Sequence, residues 1–351
     1  MSKILYFVSS LNFGGAEKQT VLDANLMSKD HTVHLVSFSK GPLNQVLSNK
    51  VHFLKLGRSG YLKNAKEIAA YCNKEKIDII HSALFAASII SGLASLFCRV
   101  RVIWHFHSHE YDMPLKSRLA VSLASQIPDV KKIAFVNKEL IEYFRSFHLP
   151  KRKFVLLYNH STVVRDSIVK DNKEKVRIGY LGRVIALKRV NYLIDLAIAF
   201  QSKGINDFEI HIVGSGDQFE SIAMEVSDNQ LEPYFKLHGF QIKVNDFYKT
   251  FDFFVNPSEE ECLSVAMIDA GMHGLPIVGF DVGGNSEIIK HQESGFIVCS
   301  LTEFIEACAE LVSNNQKRRT FGMESYKHCN QYFSESVHHM ELEKIYKEVL
   351  K

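Results

Sequence analysis

The sequence is poor in the features that mark secreted, cysteine-metal, fibrous and membrane-spanning proteins. Its six cysteines (Cys72, Cys98, Cys262, Cys299, Cys308, Cys329) include no Cys-x-x-Cys pair and no Cys/His cluster at zinc-ligand spacing. Neither a cysteine zinc site nor a disulfide framework is signalled, and a reducing compartment fits. Proline (7) and glycine (19) are too few in 351 residues for a collagen-like or mucin-like chain. No repeat of roughly 20 to 50 residues is visible, which sets solenoids aside. The opening MSKILYFVSS lacks a long apolar region or cleavage signature and reads as a buried first strand, not a signal peptide. The uncharged run Ser82 to Cys98 spans 17 residues, the lower edge for a spanning helix. Its many Ser, Ala and Gly residues, behind Asp78 and His81, predict a helix buried between layers and no transmembrane span.

What is present is a 46% hydrophobic, 23% charged chain, long enough for two domains. Apolar runs rich in Ile, Val and Phe alternate with helical patterns: ILYFVSS, Glu17 to Met27, HTVHLVSF, Ala65 to Asn73, IDIIHS and VRVIWHFH. Strands apolar almost throughout require a parallel sheet covered on both faces. After the irregular stretch VVRDSIVKDNKEK a second series begins: VRIGYLGRV, FEIHIVGSG, FKLHGF, FDFFVNPS, LPIVGF and SGFIV. Helical segments are expected near Val190 to Lys203, Gln218 to Val226, Val265 to His273 and Thr302 to Ser313. The fold class is therefore α/β, with two doubly wound, Rossmann-like domains facing a central cleft. The expected domains are 1–165 and 172–335, joined by a linker near 161–175, with a C-terminal helix over 336–351 packing back towards the N-terminal domain.

The charge is divided between the halves. Residues 1–170 carry 24 Lys and Arg against 12 Asp and Glu, and the remainder 18 against 27. A basic half suits an anionic substrate or membrane surface, or is simply a solvated face. Nucleic acid is disfavoured, because no basic motif is interleaved with aromatics.

Three places suggest anion and sugar binding. Gly14 and Gly15, between the first strand and its helix, allow backbone N–H groups to approach a phosphate or sugar oxygen, or form a plain tight turn. Gly182-Arg183 ends a strand, and Lys188 follows where a helix from Arg189 is expected. Two cations at the positive end of a helix suit a diphosphate, although two solvated surface cations would look the same. In Pro257 to Glu287, Glu261 precedes a helix and Asp269 lies eight residues later. At 1.5 Å per helical residue the two carboxylates span about 12 Å, near the reach of a sugar nucleotide from hexose to ribose. Backbone N–H groups around Leu263, Ser264 and Ala266 would face a diphosphate. The charge run Glu259 to Glu261 is otherwise a solvated face.

Taken in order, these motifs, with VNKELIEYF, LLYN, the IVGSGD segment containing Gly214, and Gly283-Gly284-Asn285-Ser286-Glu287, resemble a retaining glycosyltransferase of the GT-B fold, similar to the family 4 enzymes of bacterial polysaccharide synthesis. The resemblance covers nearly the whole chain. It implies a Glu-x7-Glu pair, here Glu261 at the donor sugar and Asp269 at the ribose, the second a departure one methylene short. The usual Gly-Phe-Gly is replaced by Cys262-Leu263-Ser264. A histidine at the end of an N-domain strand is implied near the reaction centre. His105, His107 and His109 share one face by period-2 alternation; His107 matches best, and a purely structural trio stays open.

No Asp-x-Asp occurs, so no metal and no cofactor is expected. Charge on the departing diphosphate would be met by Arg183, Lys188 and a helix start. The implied activity moves a hexose, with retention, from a nucleoside-diphosphate sugar to a glycan or polyprenyl-diphosphate-linked acceptor. A front-face course is implied, in which a diphosphate oxygen takes the acceptor's proton. The expected location is cytoplasmic, peripheral at the membrane's inner face, with PLKSRLAVSLASQIPDVKK (Lys116, Arg118, Lys131, Lys132) lying on anionic lipid or forming an ordinary helix. The other readings are an epimerase or hydrolase of the same fold, and a catalytically weak partner subunit of another transferase.

Overall fold

The computed structural model describes residues 1–12, 14–108, 114–164 and 175–351. The chain divides into two compact units, Met1–His160 with Glu335–Lys351, and Ser161–Ser334. In the first, strands β1 (Lys3–Val8), β2 (Thr32–Ser37), β3 (His52–Lys55), β4 (Ile79–Ala83), β5 (Arg101–Phe106), β6 (Val130–Phe135) and β7 (Phe154–Leu156) pair in parallel in the order β3-β2-β1-β4-β5-β6-β7. Helices α1 (Gly15–Met27), α2 (Tyr61–Glu75), α3 (Phe85–Ala94), α4 (Leu115–Ser125) and α5 (Lys138–Arg145) form the crossovers. β4 is buried at every position. Such burial on both faces is why its sequence shows no polar alternation.

The second unit repeats the scheme. Strands β8 (Val176–Leu181), β9 (Phe208–Val213), β10 (Phe235–Gly239), β11 (Phe253–Asn256), β12 (Ile277–Phe280) and β13 (Gly295–Val298) run parallel in the order β10-β9-β8-β11-β12-β13. Helices α6 (Tyr192–Ser202), α7 (Phe219–Asp228), α8 (Asn245–Thr250), α9 (Val265–Met272), α10 (Asn285–Ile288), α11 (Leu301–Ser313) and α12 (Asn315–Phe333) accompany them. The core is built from strand residues such as Ile178, Ile210, Phe253 and Val278 against Leu193, Phe200 and Phe304 of the helices. The last helix, α13 (Glu335–Leu350), belongs to the first unit. There the Tyr346 hydroxyl meets that of Tyr6 at 2.7 Å, and Lys132 pairs with Glu348 at 2.8 Å.

The order reversal falls between β1 and β4 in one sheet and between β8 and β11 in the other. In open α/β sheets ligands bind beyond the carboxyl ends of the strands at such a switch point.

Three sequence expectations change. The run Ser82–Cys98 is not one helix: Ser82 and Ala83 complete β4, and α3 begins at Phe85. The Ser82 hydroxyl is held by the Ile103 carbonyl at 3.2 Å, which favours the strand. Among the described residues no helix is long and apolar enough to cross a membrane. The helix expected from Arg189 starts at Tyr192, because Arg189 takes a left-handed conformation (φ 44°) after the 3-10 turn Ala186–Lys188. PLKSRLAVSLASQIPDVKK divides into α4 and the start of β6, which places Lys131 and Lys132 on a strand. Of the linker expected near 161–175, residues 165–174 lie outside the described residues.

Candidate functional site

In the second unit the switch point gathers most of the expected donor residues. β8 leads into Gly182-Arg183, and β11 into Pro257–Glu261. Arg183 is exposed, and its backbone carbonyl accepts from the buried Tyr180 hydroxyl at 2.7 Å. Burial raises the Tyr180 phenol, and the Glu261 charge adds to the shift, so it remains a neutral donor beneath this loop. Lys188, on the 3-10 turn, reaches across to Glu261: Nζ lies 2.6 Å from Oε1 and 3.3 Å from the Glu260 carbonyl. The pair is mostly withdrawn from water, with side chains 17% and 15% exposed.

Two residues that the sequence reading passed over fix the acid. Ser258 Oγ donates to Glu261 Oε1 at 3.0 Å, and Asn256 Nδ2 approaches the same oxygen at 3.3 Å. Asn256 Oδ1 in turn accepts from Ser258 Oγ at 2.5 Å. Both residues are buried. The only signal was the polar pair in FDFFVNPS, where an apolar strand reaches its carboxyl end.

The loop after β12 supplies a floor. Gly283 has φ 55°, and a side chain there would overlap the Glu261 carbonyl oxygen. Gly284 N–H donates to the Cys262 carbonyl at 2.7 Å. Gly214, after β9, has φ 143° and lies against the Gly182 backbone, which brings that loop beside Arg183. Only glycine combines these dihedrals with so close an approach.

Ser264 caps α9 without a side-chain hydrogen bond, so its side chain leaves the first-turn N–H groups to other partners. The Leu263 side chain is buried in the core and contributes no polar group. Asp269 is also buried, and its Oδ1 accepts from the Ser161 hydroxyl at 2.5 Å. The 12 Å estimate of the acid separation fails in its premise, because residues 261–264 precede the helix and do not advance by helical rise. Glu261 is thus joined to Lys188, Ser258 and Asn256, whereas Asp269 is held at Ser161.

In the first unit, Gly14 is the N-cap of α1 with extended backbone (φ −153°), and neither Gly14 nor Gly15 has positive φ. The absent Gly14 side chain makes room for the Glu17 carboxylate, which also accepts from Ser10 Oγ at 3.3 Å. His105 ends within β5 and His107 follows it, their rings 4.0 Å apart, as the alternation requires. His109 lies outside the described residues. Burial holds His107 well below the ordinary imidazole value and His105 down to about 4. Neither His107 ring nitrogen has a hydrogen-bond partner of normal geometry among the described residues. Two cavities of about 740 and 910 Å³ in this unit contain none of the expected site residues.

This architecture recurs in solved structures. Anabaena HepE in complex with UDP is similar over 99% of this chain and 100% of its own, with TM-score 0.85 and 16% identity. The fold is GT-B, two parallel sheets flanked by helices. Two family models match the sequence: Glycosyltransferase Family 4 over residues 13–160, and Glycosyl transferases group 1 over residues 175–314. Among curated relatives, the Staphylococcus aureus capsular polysaccharide biosynthesis glycosyltransferase CapH is 27% identical over 314 residues, 84% of this chain and 86% of the relative. The Bacillus anthracis N-acetyl-alpha-D-glucosaminyl L-malate synthase is 22% identical over 362 residues, covering 95% and 93%. The chain is a glycosyltransferase, and it belongs to the group 1, family 4 type.

Proposed function

We propose that this enzyme moves a hexose, with retention and without a metal, from a nucleoside-diphosphate sugar held in the second unit to a glycan or polyprenyl-diphosphate-linked acceptor taken by the first, in the synthesis of a surface polysaccharide. The observation that carries the donor assignment is the Lys188–Glu261 pair at the switch point, fixed by Ser258 and Asn256 and bordered by Arg183. A carboxylate whose Oε1 is held by three chain donors is an oriented acceptor for sugar hydroxyls. Lys188 and Arg183 give positive charge where a diphosphate departs, and the start of α9 adds its N–H groups. The names of CapH and of HepE with UDP support the acceptor class and make UDP-sugars the first donors to test.

In this reading Glu261 orients the sugar, and no side chain becomes a covalent nucleophile. The acceptor hydroxyl attacks the anomeric carbon on the face the diphosphate leaves. The glycosidic C–O bond breaks with its electron pair on the diphosphate, and a diphosphate oxygen takes the hydroxyl proton. His107, held neutral by burial, positions rather than carries charge. Asp269 is assigned to the ribose and must exchange its Ser161 partner to reach it.

A peripheral membrane contact is assigned to α4. Leu115, Leu119 and Leu123 stand one helical turn apart and are 72%, 54% and 72% exposed, with Lys116 also exposed. Lys131 and Lys132 are instead engaged by Asp129 and Glu348. The assignment implies binding to anionic vesicles that is lost in a triple Leu→Ser variant and kept when Lys131 and Lys132 are reversed.

The test of the transfer is incubation with UDP-, GDP-, ADP- and dTDP-sugars and lipid-linked acceptors, with the product's anomeric configuration read by NMR. An α-linked product from an α-linked donor, formed without added Mg²⁺ or Mn²⁺, supports the reading. An inverted product, or turnover only with added metal, overturns it.

A further inference from the structure

The first unit holds a second cluster of chemically capable side chains that the transfer reaction does not use. Asp23 on α1, His160 after β7 and His338 on α13 are all buried, and one potential ligand atom from each lies within 4.8 Å of the other two. We propose that Asp23, His160 and His338 form a structural site for a zinc-class divalent cation, which ties α1 and α13 to the segment through which the chain leaves this unit.

Asp23 is 2% exposed, and among the described residues its ion pairs are with two imidazoles only, His338 Nε2 at 2.9 Å and His160 Nδ1 at 3.5 Å. A buried carboxylate with no Lys or Arg partner is balanced by a protonated imidazole or by a bound cation. The two imidazole rings are stacked, with centroids 4.3 Å apart and planes 24° from parallel. Protonating both would set like charges face to face, so at least one offers a lone pair. His160 Nδ1 carries a lone pair, since it accepts from Gln19 Nε2; an ion would take that lone pair in place of the Gln19 N–H.

Geometry and donor chemistry agree. A tetrahedral ion with N and O ligands near 2.0 to 2.1 Å separates its ligand atoms by about 3.3 Å. Two of the three edges, 2.9 and 3.5 Å, bracket that length, and the third is no longer than 4.8 Å. Two imidazoles and one carboxylate suit zinc or its borderline relatives better than calcium or magnesium. Gln19, fully buried, sets its Nε2 between two of these atoms, donating to Asp23 Oδ1 at 2.9 Å and to His160 Nδ1, so its amide turns away when an ion enters. The ligands come from positions 23, 160 and 338, and the last two flank the points at His160 and Glu335 where the chain passes between units. Closing loops of that length stabilises the unit by restricting its unfolded chain. No cysteine takes part, which is why the cysteine pattern gave no hint. The site does not rest on the donor assignment, and no step of the transfer passes through it.

The experiment uses the full chain, purified through a tag without metal affinity, stripped under denaturant, refolded and titrated with Co²⁺ and Zn²⁺. The expected result is saturable binding of one ion per chain, with an intense visible cobalt spectrum of tetrahedral N/O type and a higher unfolding midpoint with Zn²⁺. His160→Gln and His338→Gln each weaken binding by more than about a hundredfold. His339→Gln, at the more exposed His339–Asp30 pair, leaves it unchanged. Absence of saturable binding in the wild type, or binding that survives both substitutions, overturns the proposal and leaves a proton-neutralised Asp23–His338 pair. If both variants fail to fold, the wild-type cobalt spectrum decides: a weak octahedral spectrum refutes the site.

Discussion

Lowering the pH from 7.5 to 5.5 should destabilise the first unit. His81 and His105 are buried beside one another, with ring centroids 5.4 Å apart. Burial, reinforced for His81 by His105, holds them down to about 3 and about 4. His107 is shifted the same way. A histidine depressed in the folded state stays neutral there and gains a proton on unfolding. Its stabilising effect is therefore complete above the unfolded value of about 6.5 and declines as pH falls below it. One unit below that value each such group contributes a loss of about 1.4 kcal/mol, so His81 and His105 together contribute about 3 kcal/mol at pH 5.5. That is a sizeable share of the roughly 5 to 15 kcal/mol that holds a domain together. The single tryptophan, Trp104, is fully buried in β5 next to His105 and reports on this unit. Urea unfolding followed by its fluorescence should show the midpoint falling between pH 7.5 and 5.5 with the slope unchanged. A His81→Gln/His105→Asn variant should lose about 3 kcal/mol of that dependence and keep the part due to His107 and His160. Equal midpoints at the two pH values in the wild type, or an undiminished pH dependence in the variant, would refute the reasoning.

Two substitutions probe the second unit. Gly283→Ala places a methyl group against the Glu261 carbonyl at a left-handed backbone position; it should cost about 1 to 3 kcal/mol in thermal stability and weaken donor binding together, as seen by thermal shift with and without UDP-sugar. Glu261→Gln keeps the shape but removes the charge that Lys188, Ser258 and Asn256 hold, and should lower kcat about a hundredfold while UDP binding, measured calorimetrically, changes little.

Both doubly wound sheets were legible because parallel strands buried on both faces leave continuous apolar runs, and the crossover helices Thr302 to Ser313 and Val265 to His273 lay within a residue of α11 and α9. The polar helix α12 was not named. It buries a narrow stripe, Phe321, Ser325, Cys329 and Phe333, beneath exposed charges, and Gly322 lies against the Gly274 carbonyl. Site residues were legible as types but not as partners. Lys188 and Glu261 were read as separate ligands because nothing local signals a contact across 73 positions. Asp269 is placed at the ribose by the resemblance alone, and no local signal announces its Ser161 partner 108 residues away. His160 and His338 each look like isolated core histidines, and only the topology that returns α13 to the first sheet brings them to Asp23. Lys131 and Lys132 looked like a flank of α4 until the strand β6 claimed them.

The most direct test of the central claim is steady-state turnover of an Arg183→Gln/Lys188→Gln variant with the preferred sugar nucleotide, without added divalent metal. The account predicts a kcat/KM lower by at least about a thousandfold, because two preorganised cations vanish from the departing diphosphate. An unchanged kcat/KM in the variant, or a wild type inactive until Mg²⁺ or Mn²⁺ is supplied, would contradict it.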